Sequence, residues 1–338
     1  MRYSRSLGIS AAPVLLAVWA TTLEAAVTFD WATVGNPHNG ADTRYDPSGV
    51  GSVSYTYRIS KHEVTAGQYV DFLNTVDPTG ANPLGLYNPL MASDPSGCQI
   101  TWNAAISRYD FSGAPSGTAA DWENRPVNFV GFWDAARFAN WLHNGQGSGG
   151  TESGAYVNIG DETTFARQPD AQFFLPTEDE WYKAAYHKND GATGNYFNYP
   201  TSTDSTPSNI LADPDPGNNA TFYDYGHTVG SPYYRTEVGD HENSESPYGT
   251  FDQGGNVFEW NEDAISASTG VRGGSFGLTE GSLRASSDLL NDPSLEYLYL
   301  GFRVASPPES TGVVPEPSSL VLWGLGLGLL WYRRKTKL

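Results

Sequence analysis

The stretch Tyr248-Gly-Thr-Phe-Asp-Gln-Gly-Gly-Asn-Val-Phe-Glu-Trp260 gathers two carboxylates, paired glycines and large aromatics in one short run. Asp252 and Glu259 flank Gly254 and Gly255, whose tolerance of positive φ suits a tight loop. Val257 to Trp260 has strand-forming residue types. If both carboxylates and the carbonyls of Gly255 and Val257 face one side, about four hard oxygens converge, roughly half of the set Ca²⁺ takes. The residues alone also allow a plainer arrangement, a Gly-Gly turn with solvated acids ahead of an aromatic core strand.

Other residues with chemical potential are fewer. Asn219 and Ala220, with Asp240 nearby in sequence, form a weaker candidate for a second oxygen-rich calcium site. Glu178, Asp179 and Glu180 look like an acid cluster, but acids in the first turn of a helix face its positive end, a structural role. None of the 6 histidines has a partner at metal-chelating spacing, and His143 falls in the last turn of a predicted helix. Cys98 is the single cysteine, so no intramolecular disulfide and no thiolate pair for a soft metal is available. Arg272, Arg284 and Arg303 each lie in a short strand-like run and are expected to pair with interior acids such as Glu63 or Glu259.

These groups need elements to position them. Ser54 to Ile59 alternates as a half-buried strand. Thr65 caps a predicted helix with Tyr69, Phe72, Leu73 and Val76 on one face. Ala135, Phe138, Ala139 and Leu142 repeat that register in a second helix, with Gly145 as its stop. Thr177 and Glu180 form a capping box for a third, whose buried stripe is Trp181, Ala184 and Ala185. Pro78 to Asp121 lacks periodicity and reads as a long surface loop region holding Cys98.

Composition narrows the partners. The chain has 338 residues with 37 Gly and 22 Pro, consistent with one large, loop-rich domain. A net charge of −19 disfavours nucleic acid and anionic lipid surfaces and suits cations. Residues 1-25 combine Arg2 and Arg5, an apolar body and a small-residue site at Ala25-Ala26, a secretory signal. Residues 26-56 form an extended lead-in, 57-305 the domain and 306-317 a Pro-rich linker. Residues 318-332 follow as an apolar, Gly-spaced segment and 333-338 as a basic tail. As a helix the apolar segment spans about 22 Å, short of the ~30 Å hydrocarbon core, which suits a transient membrane anchor.

Two resemblances follow from these residues. Val314-Pro-Glu-Pro317, a short hydrophobic helix and an Arg-rich tail resemble the PEP-CTERM sorting signal of Gram-negative bacteria, with Pro315, Glu316 and Pro317 as its core. That implies an exosortase-type partner and delivery to the cell surface, outer envelope or extracellular matrix. Lys61-His-Glu-Val-Thr65, Pro126-Val127 with Trp133-Asp-Ala135, Leu175 to Trp181, Gly255 to Trp260, Arg272-Gly-Gly-Ser275 and Gly301-Phe-Arg303 together resemble the sulfatase-modifying factor, or formylglycine-generating enzyme, family. The resemblance implies an irregular α+β fold of the C-type-lectin-like kind, and a calcium ion held at positions matching Asp252, Gly255, Val257 and Glu259.

Activity does not carry over so directly. The family oxidase makes formylglycine in sulfatases with copper held by two cysteines shortly after Gly-Gly-Ser. Here Gly273 to Leu283 contains none, and Leu278 stands about where the first would fall. Copper(I) selects thiolates, and neither Ser275 nor Glu280 replaces them, so copper is not expected. The expectation is a surface domain binding a glycan, peptide or matrix component. The alternative is an oxidoreductase of the formylglycine-generating type, or a related metal-dependent oxidase, acting on proteins outside the cytoplasm.

Overall fold

The computed structural model describes residues 26–262 and 268–309. The stretches expected to be a signal sequence at 1-25, an anchor at 318-332 and a basic tail at 333-338, and the expected sorting residues Pro315, Glu316 and Pro317, lie outside the described residues. Among the described residues no helix is long and apolar enough to cross a membrane.

In chain order the elements are β1 (Trp31–Val34), β2 (Tyr57–Ser60), α1 (Ala66–Val76), α2 (Leu90–Ser93), β3 (Thr101–Asn103) and β4 (Arg108–Asp110). Next come α3 (Ala120–Glu123), α4 (Phe132–His143), β5 (Tyr156–Val157), β6 (Ala166–Arg167) and α5 (Glu178–Tyr186). The chain finishes with β7 (Phe258–Trp260), β8 (Thr269–Arg272), a 3-10 turn at Glu280–Leu283, β9 (Leu289–Asn291), β10 (Leu300–Phe302) and β11 (Ala305–Ser306). A three-stranded antiparallel sheet has the order β1-β2-β11, and a mixed sheet has the order β10-β7-β8-β9 with β7 and β10 parallel. This is the expected irregular α+β domain.

Each long helix starts where its sequence supplies partners for the free N–H groups of the first turn. Thr65 and Gln68 form a capping box on α1, and Thr177 with Glu180 does the same for α5. At α4, Gly131 N donates to Asp134 Oδ2 at 3.1 Å. The apolar faces of α1 and α4 meet through Phe72, Phe138 and Trp141, and Phe302 of β10 packs edge-on against Phe138. The other side of α4, through Ala136 and Ala139, packs in a second cluster with Ile59 and with Ala184 of α5.

Two expectations need correction. The lead-in does not merely wrap the domain, because Trp31–Val34 pairs residue for residue with β2. The stretch from Pro78 to Asp121 is not a surface loop throughout. It carries α2, α3 and the β3-β4 hairpin, and it buries Met91, Cys98, Ile100 and Tyr109. The Asp77 carboxylate makes this possible by accepting from Ala81 N, Asn82 N and the Tyr109 hydroxyl. Side-chain oxygens there do for the backbone what a sheet ladder would otherwise do.

Candidate functional site

The loop from Tyr248 to Trp260 reverses direction through left-handed backbone at Asp252, Gly255 and Asn256. Gly255 is obligatory there, since a Cβ would collide with the Thr221 carbonyl. Three backbone hydrogen bonds of 2.8 Å pin the loop: Phe251 N to Lys61 O, Gly255 N to Gly273 O and Asn256 N to Thr221 O. The loop therefore joins the β2-α1 connection to the turn after β8.

Its two acids have different surroundings. Glu259 is fully buried in β7. Its Oε1 accepts from Arg303 Nη2 at 2.6 Å, and its Oε2 accepts from Arg303 Nε and from Trp181 Nε1, the latter at 2.6 Å. Arg303 donates further to the carbonyls of Ser60 and Lys61 at 3.0 Å and Phe251 at 2.9 Å. All five guanidinium N–H groups are thereby used. Burial works against the Arg303 charge, but Glu259 outweighs it and the pKa is raised. Asp252 is partly exposed at the loop tip, and its Oδ2 accepts from Gly239 N at 2.6 Å. Desolvation pushes its carboxyl up to about 7.

Glu63 lies in the same polar centre. It is 1% exposed, and neither carboxylate oxygen receives a hydrogen bond. Burial, then the charges of Asp252 and Glu259, push its pKa well up. The expected interior pairing is therefore met by Glu259 and not by Glu63. Among the described residues no three His, Cys, Asp or Glu side chains converge as a metal-holding group. Tested against calcium, Asp252 fits as an oxygen donor from a turn, while Glu259 already accepts one hydrogen bond at Oε1 and two at Oε2, from Arg303 and Trp181.

At the weaker candidate, Asn219 and Ala220 are buried. Asn219 donates through Nδ2 to Asp215, which also accepts from Gly217 N and Asn243 N at 3.0 Å and from Ser244 Oγ at 2.7 Å. Asp240 Oδ2 accepts from Glu237 N at 3.0 Å. These contacts tie loops together.

After β8, the run from Gly273 to Leu283 presents Phe276 among Tyr299, Tyr234 and His227, with ring centroids 5.1, 5.9 and 6.2 Å away. Leu278 is partly buried against the main core, and Leu283 packs with Tyr199, Ala220 and Phe222. Cys98 is 1% exposed, with Sγ 3.9 Å from Asn128 O, and burial pushes its thiol up.

The first turn of α5 does more than face a dipole. Glu180 closes the capping box, Asp179 Oδ1 accepts from Gly51 N at 2.6 Å, and Glu178 pairs with Arg272. Arg272 thus finds Glu178 rather than Glu63 or Glu259. Arg284 is half-exposed and donates to the Tyr199 hydroxyl at 2.8 Å, so it is not an interior pair at all. Glu178, Asp179, Glu262 and Arg272 wall an open groove of about 790 Å³, flanked by Tyr45 and Tyr55. Both tyrosine rings are about half exposed and held by their hydroxyls, Tyr45 to Asn198 Oδ1 and Tyr55 to Glu180 Oε1, each at 2.7 Å. The sequence reading missed this groove. Its only signal is Tyr45 in the lead-in and Tyr55 at the start of the alternating Ser54 to Ile59 run.

Comparison with known proteins places these features in a wider group. The model of a family described as the sulfatase-modifying factor enzyme 1-like domain matches residues 31–307. No curated protein matches the chain. Among solved structures, CarF aligns at 20% identity with a TM-score of 0.51, over 83% of this chain and 99% of that one. Treponema denticola variable protein 1 aligns at 19% identity and 0.47, over 82% and 95%. PvdO from Pseudomonas aeruginosa aligns at 17% identity and 0.43, over 82% and 92%. The likeness to CarF shows a shared fold.

Proposed function

Because the chain belongs to the sulfatase-modifying factor enzyme 1-like domain family, we propose that it is an exported, surface-sorted member that binds a ligand and does not generate formylglycine. One observation carries the reading: no second thiol exists to meet Cys98, which is itself buried among apolar side chains. Where the family's cysteines are expected, this chain places Leu278 and the aromatic cluster around Phe276. Thiolates are the donors that copper(I) selects, and Phe276, Tyr234 and Tyr299 offer none.

Binding is supported by the groove beside Arg272. Tyr45 and Tyr55, half exposed and anchored through their hydroxyls, suit contact with a sugar or peptide at little entropic cost. The polar wall of Glu178, Asp179 and Glu262 supplies acceptors for hydroxyl or amide donors. A calcium ion at the Asp252 loop, with the carbonyls of Gly255 and Val257, is part of the proposal, and its role there is to hold the loop. Surface delivery rests on residues 1-25 and on the Pro315-Glu316-Pro317 signal with its anchor.

The test is direct. Purified protein is assayed for bound copper, for oxidation of a cysteine-containing peptide, and for saturable binding on glycan and peptide arrays. Saturable binding that weakens in Tyr45→Ala and Tyr55→Ala is expected. Stoichiometric copper with turnover would replace this reading with the oxidase alternative, and an absence of saturable binding would leave a purely structural matrix role.

A further inference from the structure

The described chain ends beside a groove. Pro307 and Pro308 form one side of a cavity of about 560 Å³ whose other walls include Tyr55, Pro169, Ala171 and Phe174. The direction of exit is set by the sheet. β11 is antiparallel to β2, with Ala305 opposite Ile59 and Ser306 opposite Arg58, so each further residue carries the chain toward Tyr57, Thr56 and Tyr55. Pro307 and Pro308 have no N–H with which to extend the ladder, and Pro308 keeps the residue before it extended. Arg58 clamps this exit: its Nε donates to Pro307 O at 3.1 Å, its Nη2 to Ser306 Oγ at 3.0 Å and its Nη1 to Glu309 Oε1 at 2.9 Å.

The walls are apolar and held in place. The Arg167 guanidinium lies over the Phe174 ring at 4.1 Å, and the Tyr55 hydroxyl donates to Glu180 Oε1 at 2.7 Å. Fixed aromatic and proline walls suit a polyproline II segment, which packs through its side chains and leaves its backbone to water. The chain supplies such a segment at once. Residues 310–317 read Ser-Thr-Gly-Val-Val-Pro-Glu-Pro, with Val313, Val314, Pro315 and Pro317 apolar and Glu316 the one charged side chain. At about 3.1 Å per residue that stretch reaches roughly 25 Å, enough to cross a cavity of this volume. Because it starts directly beyond the groove wall, its effective concentration there is on the order of millimolar, an advantage over a free peptide or a second copy.

We propose that residues 310–317 dock along this groove as an extended, polyproline-type strand, with Val313 to Pro315 on its apolar walls. The linker then belongs to the surface of the domain, and whatever follows Pro317 is held close to Tyr55. The inference is independent of what the groove beside Arg272 binds and of whether the tail is a sorting signal.

The test is photo-cross-linking in full-length protein in detergent micelles, with Glu316→benzoylphenylalanine as the probe and cross-links mapped by mass spectrometry. Three backgrounds are compared: otherwise wild type, Val313→Asp with Val314→Asp, and Pro169→Asp. The main product is expected within one chain, joining position 316 to residues 55–57 or 167–174. The linker double variant should lower its yield at least tenfold, and Pro169→Asp, at an exposed wall position, at least fivefold. Val313 and Val314 lie beyond β11, so the loss in that variant cannot come from a failure of the domain to fold. The proposal is overturned by a missing or scattered cross-link, or by equal yields in all three backgrounds. A drop in the linker variant with Pro169→Asp behaving like wild type would place the segment elsewhere and equally overturn it. A main product joining two chains would give the groove to a second copy.

Discussion

Arg303 with Glu259 and Arg272 with Glu178 are built from the same two residue types, yet they occupy different worlds. The first pair has both side chains at 0% exposure, closed on every side by carbonyls and the Trp181 indole. The second has Arg272 at 6% and Glu178 at 23%, with the guanidinium also reaching the Ser287 carbonyl and the acid forming part of the groove wall. A saturated interior pair has nothing left to offer a ligand and serves only to lock β2, β7 and the end of β10 together. A pair at the rim can exchange a hydrogen bond with whatever enters. Position, more than residue type, separates scaffold from binding surface.

The sharpest way to break this contrast is Glu259→Gln. It leaves a buried guanidinium without its counter-charge and should cost about 3–5 kcal/mol in chemical denaturation. A loss below about 1 kcal/mol would show that the interior pair is dispensable. Arg272→Met keeps the packed stem and frees an acid that water can reach, so a loss of about 2 kcal/mol is expected. Equality of the two would erase the distinction between inside and rim. Thr177→Ala tests the helix that serves both pairs, since α5 carries Trp181 to Glu259 and Glu178 to Arg272. Loss of that cap should cost about 1 kcal/mol, read as a lower denaturation midpoint.

Smallest over any one step is a pH effect on the groove side. Glu262 has its carboxyl pushed up to about 7 by burial, despite Arg167 at 3.1 Å and the Tyr156 hydroxyl at 2.7 Å. Its folded value lies above its ordinary 4.5, so the folded state keeps the proton longer. Stability from this group is present at low pH and lost as pH rises through about 7. Melting temperature should fall between pH 5 and 8, and Glu262→Gln should flatten that slope. An unchanged slope in the variant would assign the effect elsewhere.

Much of the framework was readable from local pattern. The i, i+3, i+4 stripes of α1 and α4, the Thr177-Glu180 box and the Phe258–Trp260 strand depend on near neighbours in sequence, and all three helices form with the expected faces buried except Val76 of α1, which is partly buried. That a buried arginine would meet Glu63 or Glu259 followed from the scarcity of ways to satisfy a buried guanidinium, but which arginine meets which acid did not. What escaped is set by distance along the chain. The choice of Glu178 for Arg272 spans 94 residues, and nothing local ranks it above Glu63. Cys98 sits among Pro, Gly and Ser, a composition that resembles exposed loop until Asp94 and Gln99 are seen to satisfy the backbone around it. The Asp252 loop was found by its glycines, but the commitment of Glu259 required β10 and its Arg303 to be in place.

The sheet order β1-β2-β11 puts the end of the domain against its beginning, with Ala305 opposite Ile59 and Phe174. During synthesis, β2 emerges early and waits for a partner that is translated last. Until Ala305 clears the ribosome, one edge of β2 stays unpaired and open to foreign strands. Such a delay would keep the polypeptide threadable for the export proposed above, because the last strand closes the sheet only once Ala305 and Ser306 are present.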